Sequence, residues 1–331
     1  MKNPSTPLQI FSSNFKSLIL YIGQIYFVRL MLNYNEIRKI RKLYSRNRNI
    51  SSYLRKKKNE SKNSIETILY SYDLQGGNDY RRRNDSFVAT NNRKIAKKIS
   101  ETVSKLGAKS FLEAGCGDGL ILGLLNPDKI ENKPEICGFD LSLSRLLFAQ
   151  KYLIRQKMKS GNLFCANMMN IPLPDNSIDI VCTVMSMEPN HGLEKEIISD
   201  LFRVTRRYLM LIEPTYELGS KQTKKHIIKH GYVRNLPKHI TRLGCTIITH
   251  EYLGFSQPNN ENALIVVEKN KKIPMKRTFS FVSPLSNRPL KKYKNYFYCK
   301  DDGYVYPIIN KIPCLVRENA ILASQLHRFS Y

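Results

Sequence analysis

The sequence has no CxxC cysteine pair, few acidic residues beside its many basic ones, and no long uncharged apolar run. Its seven cysteines are scattered over positions 116, 137, 165, 182, 245, 299 and 314. This spacing argues against a disulfide framework and against a complete cysteine-rich zinc site. A reducing compartment is therefore favoured, and we expect a cytoplasmic protein.

The shortage of acidic residues is confined to the two ends of the chain. Residues 1–100 carry 21 basic and 6 acidic residues, residues 101–215 carry 13 and 14, and residues 216–331 carry 20 and 7. The 331 residues allow about two domains, and a hydrophobic fraction of 42% excludes full disorder. Basic ends attract phosphate groups, so contact with RNA through them is one hypothesis.

The candidate for membrane contact is the segment 17–32, which reads SLILYIGQIYFVRLML. It contains Arg29, and its uncharged run is shorter than the about 20 residues that cross a bilayer. No small-residue cleavage site follows it, which argues against a secretory signal. Two interpretations stay open: an amphipathic helix that covers the domain behind it, or a helix lying on the inner membrane surface beside the basic run 38–58.

From about residue 90, helical patterns alternate with short apolar stretches. The patterns predict helices at 91–106, 142–158 and 193–205, and strands at 110–114, 136–140, 163–166, 178–185, 208–212, 245–250 and 263–268. Such alternation predicts an α/β fold with a parallel, doubly wound, seven-stranded sheet. We place this domain at 86–270, after a basic and mostly helical extension at 1–85 and before a small β-rich module at 271–331.

A glycine-rich loop follows the first predicted strand, where residues 111–119 read FLEAGCGDG. The spacing is G-x-G-x-G, whereas a dinucleotide fingerprint is G-x-G-x-x-G and position 120 is Leu. The carboxylates of Glu113 and Asp118 would repel a pyrophosphate but would favour a sulfonium and an α-amino group. The loop therefore favours a cationic ligand such as S-adenosylmethionine.

Two further side chains follow the next two predicted strands. Asp140 ends the second strand, where an acid can accept hydrogen bonds from both ribose hydroxyls. Asn167 ends the third, where its amide can accept a hydrogen bond from an adenine amino group beside Met168. Each has a structural alternative, because Asp140 could instead begin a helix and Asn167 could simply form a turn.

Four stretches in this order, EAGCGDG, GFDLS, CANMMNIPLPDNSIDIV and LFRVTRRYLMLIEP, resemble the class I S-adenosylmethionine-dependent methyltransferases, and within them the type 11 domain. The resemblance covers about residues 90–270 and implies a Rossmann-like fold, methyl transfer and S-adenosylmethionine as cofactor. It also implies cofactor contacts from Glu113, Gly115, Cys116, Gly117, Gly119, Asp140, Leu141, Asn167 and Met168. Asn167 stands where the family usually has Asp.

The loop after the fourth predicted strand, residues 186–191, reads SMEPNH and follows the carboxyl edge of the sheet, where ligands bind. Glu188 and His191 are the candidates for a general base or for substrate contact, although His191 could equally cap the next helix. The segment 213–216 is a second candidate lining. Neither an Asp/Asn-Pro-Pro-aromatic motif nor a loop cysteine follows this strand, which argues against methylation of nucleobase amines or of cytosine carbon.

Residues 280–323 resemble a small zinc-ribbon-like activator of RNA and protein methyltransferases. Ser283, Ser286 and Asp302 replace three of the expected ligands and only Cys299 remains. A structural zinc normally needs four Cys or His ligands, so we expect no metal.

Three functions stay open. The first is a methyltransferase acting on an O, N or C nucleophile of a small molecule or of a glycan or lipid precursor. The second is an RNA or translation-factor methyltransferase, and the third is a non-catalytic cofactor-binding scaffold.

Overall fold

The computed structural model describes residues 34–46, 48–125, 128, 130–131, 133–158, 163–255, 259–269 and 280–329. The chain divides into two compact units, residues 1–50 and 51–331, and the predicted boundaries at 85/86 and 270/271 both fall within the second. Helix α1, Tyr34–Ser45, lies in the first unit. The segment 17–32 lies outside the described residues, among which no helix is long and apolar enough to cross a bilayer.

A seven-stranded sheet forms the centre of the second unit. Its strands in chain order are β1 Ser110–Ala114, β2 Glu135–Asp140, β3 Leu163–Cys165, β4 Ile178–Val184, β5 Thr205–Pro214, β6 Thr246–Tyr252 and β7 Asn262–Glu268. Their order across the sheet is β3-β2-β1-β4-β5-β7-β6. Every predicted strand is present, and β4 is buried along its whole length, as its apolar sequence predicts. The expected Rossmann-like α/β architecture is confirmed.

The expectation of a wholly parallel sheet is wrong at one strand. The pairs among β1 to β5 are parallel, but β7 runs antiparallel to both β5 and β6. Only nine residues join β6 to β7. A parallel connection needs a crossover of a dozen or more residues, so this short link makes the last strand return antiparallel.

Helices cover both faces of the sheet. They are α5 Ser86–Lys105, α6 Leu143–Arg155, α7 Glu194–Val204, α8 Lys221–His230 and α9 Leu236–Thr241. Alternate strand residues point to opposite faces, so Phe111 packs in one core with α5 and α6, while Leu112 packs in the other with α7 and α9. These two cores hold the sheet between two helical layers.

The N-terminal part of the second unit contributes three short helices, α2 Ile50–Lys58, α3 Ile65–Asp73 and α4 Asn78–Arg82. We call α3 and α4 the cap helices. Asp73, at the end of α3, accepts hydrogen bonds from the hydroxyls of Ser142 and Ser144 at 2.7 and 3.0 Å. Asn63 Nδ2, just before α3, donates to the carbonyl of Pro189 at 2.8 Å. The part of the predicted extension that lies in the second unit is therefore bound to the loops that follow β2 and β4.

The C-terminal residues form a small antiparallel sheet that also lengthens the main one. Its strands are β8 Lys291–Lys292, β9 Tyr296–Tyr298, β10 Tyr304–Ile309, β11 Ile312–Pro313 and β12 Ile321–Leu322. Cys314 pairs in parallel with Cys165 of β3, and Leu315 N donates to Cys165 O at 2.8 Å. Phe281 packs against Phe164 of β3 with ring centroids 5.1 Å apart. The module thus covers the β3 edge of the main sheet.

The four positions compared with zinc ligands lie close together in this module. Asp302 Oδ2 accepts hydrogen bonds from the hydroxyls of Ser283 at 2.6 Å and Ser286 at 2.7 Å, and Ser286 Oγ lies 4.0 Å from Cys299 Sγ. Burial would raise the pKa of Asp302, but these bonds and one from Tyr304 N hold it below its ordinary value. Hydrogen bonds to a carboxylate therefore join the segment around Ser283 and Ser286 to the turn between β9 and β10.

We expect Asp302→Ala to lower the free energy of unfolding by about 1–3 kcal/mol, because two hydroxyls and one amide lose a charged acceptor. Urea unfolding at pH 7 measures this. The matched control is Asp301→Ala, since Asp301 is exposed and its ion pair with Arg288 is long, at 4.0 Å. An equal loss in both variants would contradict a specific role for Asp302.

Candidate active site

The glycine loop turns sharply at the end of β1. Gly115 N and Cys116 N both donate to Phe139 O, at 2.8 and 2.9 Å, which ties the loop to β2. Gly115 has φ +73°, and a Cβ there would lie 2.5 Å from Met168 Cε. Only glycine fits this backbone without displacing a neighbour.

A cavity of about 550 Å³ lies beside this loop, within the size range of small-ligand sites. Eight of the nine predicted cofactor residues line it, namely Glu113, Gly115, Cys116, Gly117, Asp140, Leu141, Asn167 and Met168. The exception is Gly119, which faces helix α6, where a Cβ would lie 2.8 Å from Ala149 Cβ. The structure therefore brings the predicted residues together, and Gly119 serves close packing between the loop and α6.

Asp140 holds the loops around the cavity as well as lining it. Its Oδ2 accepts from Gly117 N and its Oδ1 from Ser142 N, both at 2.9 Å. Burial raises the pKa of Asp140, and the nearby Arg145 guanidinium opposes that rise. A carboxylate offers about four acceptor sites, so each oxygen can still accept a bond from a ribose hydroxyl.

Arg145 changes the electrostatic argument made from the loop sequence. Its Nε lies 3.3 Å from Asp118 Oδ1, and its Nη2 is bonded to Asp79 of the cap helices. Asp118 also accepts from Gly77 N at 3.2 Å and Tyr80 N at 3.0 Å. Asp118 is therefore already engaged by an arginine and two backbone amides of the protein, which the loop sequence alone did not show. Nothing in the spacing of the sequence pointed to Arg145.

Glu113 is the loop carboxylate that still needs a partner. It is 2% exposed, and among the described residues its Oε2 has no hydrogen-bond partner. Burial, and then the nearby Asp140 carboxylate, raise the pKa of Glu113 to about 8. A cation beside it would satisfy the oxygen and lower this pKa. The residues present therefore fit the positively charged groups of S-adenosylmethionine.

Asn167 forms the turn considered for it and also lies at the cavity. Its Oδ1 accepts from Met169 N at 3.0 Å, which makes the turn after β3, and the residue also lines the cavity beside Met168. The amide oxygen has a second lone pair for a ligand donor.

Glu188 and His191, the two catalytic candidates, lie in different surroundings. Glu188 lines the cavity, and its Oε1 accepts from Asn260 Nδ2 at 3.2 Å. His191 is not among the described lining residues; its Nδ1 lies 2.8 Å from Glu194 Oε1, and its Nε2 lies 2.8 Å from Arg234 Nη2. Both ring nitrogens of His191 are therefore engaged by protein side chains, and the N-cap residue of α7 is Leu193, not His191.

The turn that presents Glu188 is held by Glu213 from β5. Glu213 Oε1 accepts from Ser186 N at 3.1 Å and Met187 N at 3.2 Å. Met185, at the start of this turn, has φ +47°, an uncommon conformation for a residue with a side chain. Burial, and then the nearby Glu188, raise the pKa of Glu213 to about 8. The segment 213–216, predicted as lining, acts here by positioning the neighbouring loop.

The cap helices supply cavity residues that the sequence did not single out. Ile65, Ile68, Leu69 and Tyr72 of α3 all line the cavity. The Arg145 Cζ lies 5.9 Å from the centre of the Tyr72 ring. Burial, followed by the Glu188 carboxylate, raises the pKa of Tyr72, so its phenol stays uncharged. Tyr72 is thus within electrostatic reach of both Arg145 and Glu188.

Residues 111–209, which contain the glycine loop, Asp140, Asn167 and Glu188, match the family model described as a methyltransferase domain. This segment is similar to methyltransferase domains. Its cofactor is S-adenosylmethionine, which the orphan oxygen of Glu113 and the free lone pairs of Asp140 fit. The match ends within β5, so the cap helices and the C-terminal module lie outside it.

Comparison with solved structures finds methyltransferases. A magnesium protoporphyrin IX methyltransferase from Synechocystis PCC 6803 with bound SAH has a TM-score of 0.48 at 15% identity, covering 62% of this chain and all of its own. A SAM-dependent methyltransferase from Aquifex aeolicus has a TM-score of 0.37 at 17% identity, and the match covers 53% of this chain and 97% of that one. A geranyl diphosphate methyltransferase has a TM-score of 0.40 at 12% identity, and the match covers 52% of this chain and 77% of that one. No curated protein sequence matches this chain.

We expect S-adenosylmethionine binding at pH 7 to release close to one proton, because a cation forces the Glu113 carboxyl, with a pKa of about 8, to ionise. Affinity should accordingly rise with pH up to about 8. Calorimetry in phosphate and in Tris measures the proton release. Glu113→Gln should release none and bind about tenfold or more weakly. Equal release by both proteins would contradict this assignment.

Proposed function

We propose that this protein transfers a methyl group from S-adenosylmethionine to a small-molecule acceptor. The observation that carries the proposal is that the cofactor-binding residues and the Glu188 carboxylate line one cavity, which the cap helices cover with Ile65, Ile68 and Leu69. Ligand pockets of this kind are mostly apolar, with a few placed polar groups. A glycan or lipid precursor fits only if its reacting end enters the cavity.

S-adenosylmethionine supplies, when bound, a methyl group on a positively charged sulfur. In the proposed arrangement Glu113 and Asp140 bind the cofactor, while the cap helices exclude water. Holding two reactants in the correct geometry can contribute about 7–11 kcal/mol to lowering a barrier.

Glu188 is the proposed proton acceptor. Burial raises its pKa to about 7, and hydrogen bonds from Asn260 and Tyr232 limit the rise. A base with a pKa near the working pH is effective in proton transfer. Its neighbour in the sequence motif, His191, is engaged by Glu194 and Arg234, so we assign this role to Glu188 alone.

One observation favours the second candidate, an RNA or translation-factor methyltransferase. The β8–β9 hairpin exposes Lys292 and Lys294, and the rings of Tyr293 and Tyr296 stack with centroids 4.8 Å apart at 16°. Lysines beside aromatic rings suit single-stranded nucleic acid. We rank this second because the hairpin residues are not among those that line the cavity.

The test incubates the purified protein with methyl-labelled S-adenosylmethionine and a cell extract separated into small-molecule, lipid, RNA and protein fractions. We expect label in the small-molecule or lipid fraction. Asp140→Ala should remove it by preventing cofactor binding, whereas Asp301→Ala, an exposed acid far from the motif, should not.

Label in the RNA or protein fraction that Lys292→Gln with Lys294→Gln removes would favour the second candidate. Cofactor binding without label in any fraction would favour the scaffold and contradict the proposal.

A further inference from the structure

Part of the cavity is lined by residues that lie outside the glycine loop and the cofactor motifs. Four elements supply them: α3, the loop after β4, the end of α8 with the turn that follows it, and the loop before β7. Their polar members are Tyr72, Ser186, Glu188, Asn190, His226, Tyr232 and Asn260. We call this set the acceptor half.

The hydrogen bonds around Glu188 use donors of the neighbouring side chains and leave acceptor atoms available. Asn260 Nδ2 donates a hydrogen bond to Glu188 Oε1 at 3.2 Å. The Asn260 Oδ1 atom is buried and has no hydrogen-bond partner among the described residues. The Tyr232 hydroxyl is also bonded to Glu188. A ligand in this half would therefore meet an unsatisfied amide oxygen and a carboxylate, both of which require a donor.

The charges in the acceptor half are unfavourable for an anion. Glu188 lies near a second buried carboxylate, Glu213. Burial, and then the nearby Glu188, raise the pKa of Glu213. Burial, and then the neighbouring Lys229, lower the pKa of His226, which disfavours a charged ring. The basic residues among the described lining are Arg82 and Arg145, and both already form ion pairs with aspartates.

We infer that the acceptor half binds a compound whose reacting atom is a hydroxyl or amine hydrogen-bonded to Glu188, carried on an apolar body that packs against α3, and that it excludes compounds with a phosphate or carboxylate at that position. This inference rests on the proposed function and names its substrate class. An uncompensated anion buried beside Glu188 would be strongly unfavourable.

The step that follows is balanced in atoms and charge. The lone pair of the acceptor oxygen or nitrogen forms the bond to the methyl carbon, and the carbon–sulfur bond breaks with its electrons kept by sulfur. The proton of the acceptor passes to the Glu188 carboxylate. One positive and one negative charge disappear together, which suits a cavity with little access to water.

The experiment is a binding measurement that needs no turnover. The full-length protein is saturated with S-adenosylhomocysteine and titrated by calorimetry with three probes. 4-Phenylbutanol, 4-phenylbutylamine and 4-phenylbutyrate share the same apolar phenylalkyl part and differ in their polar end group. We expect the alcohol or the amine to bind at least tenfold more tightly than the carboxylate. Whichever of the two binds more tightly distinguishes a hydroxyl acceptor from an amine acceptor.

The variants locate the interaction. Glu188→Gln should weaken the preferred probe at least tenfold while leaving S-adenosylhomocysteine affinity within twofold. The matched control Glu196→Gln makes the same chemical change at an exposed residue of α7 and should alter neither.

Two results would overturn the inference: tighter binding of the carboxylate, or no binding of any probe at millimolar concentration to the S-adenosylhomocysteine complex. An unchanged probe affinity in Glu188→Gln would overturn it as well. If S-adenosylhomocysteine itself fails to bind, the proposed function fails instead, so the two failures are distinguishable.

Discussion

The buried carboxylate of Asp118 joins the parts of the chain that surround the active site. It lies in the glycine loop, accepts hydrogen bonds from the backbone amides of Gly77 and Tyr80 at the start of cap helix α4, and pairs with Arg145 of α6. Because all these bonds end on one side chain, the loop, the cap and α6 keep a fixed relation. Removing one partner of such a buried ion pair costs about 3–5 kcal/mol, so the site depends on this contact.

The cavity concentrates carboxylates whose pKa values are raised by burial, among them Glu113, Asp140 and Glu188. Such groups reduce the stability of the free protein, since each either pays for desolvation of its charge or stays protonated. A cationic cofactor and a hydrogen-bond donor in the acceptor relieve these costs. Ligand binding and folding stability are therefore coupled in this domain.

Local sequence patterns were enough to predict the strands, the glycine loop and the acid that ends β2, because each depends on residues within one short stretch. Tyr72 and Arg145 could not be predicted in the same way. Tyr72 reaches the cavity because long-range contacts place its helix there. Arg145 is held at the cavity by ion pairs with Asp79 and Asp118, which are distant in the sequence. The reversed direction of β7 follows from the short loop between β6 and β7, whose length the strand pattern alone does not interpret. The grouping of Ser283 with Asp302 likewise became visible only in space.

The backbone contact between Leu315 and Cys165 has a consequence for the β3 edge of the main sheet. Strand β3 lies at the border of a seven-stranded sheet, and a bare border offers unpaired amides and carbonyls to any other extended chain. The C-terminal residues occupy that border in the folded molecule. A chain truncated before residue 312 would expose it and invite edge-to-edge association, just beside the turn that carries Asn167.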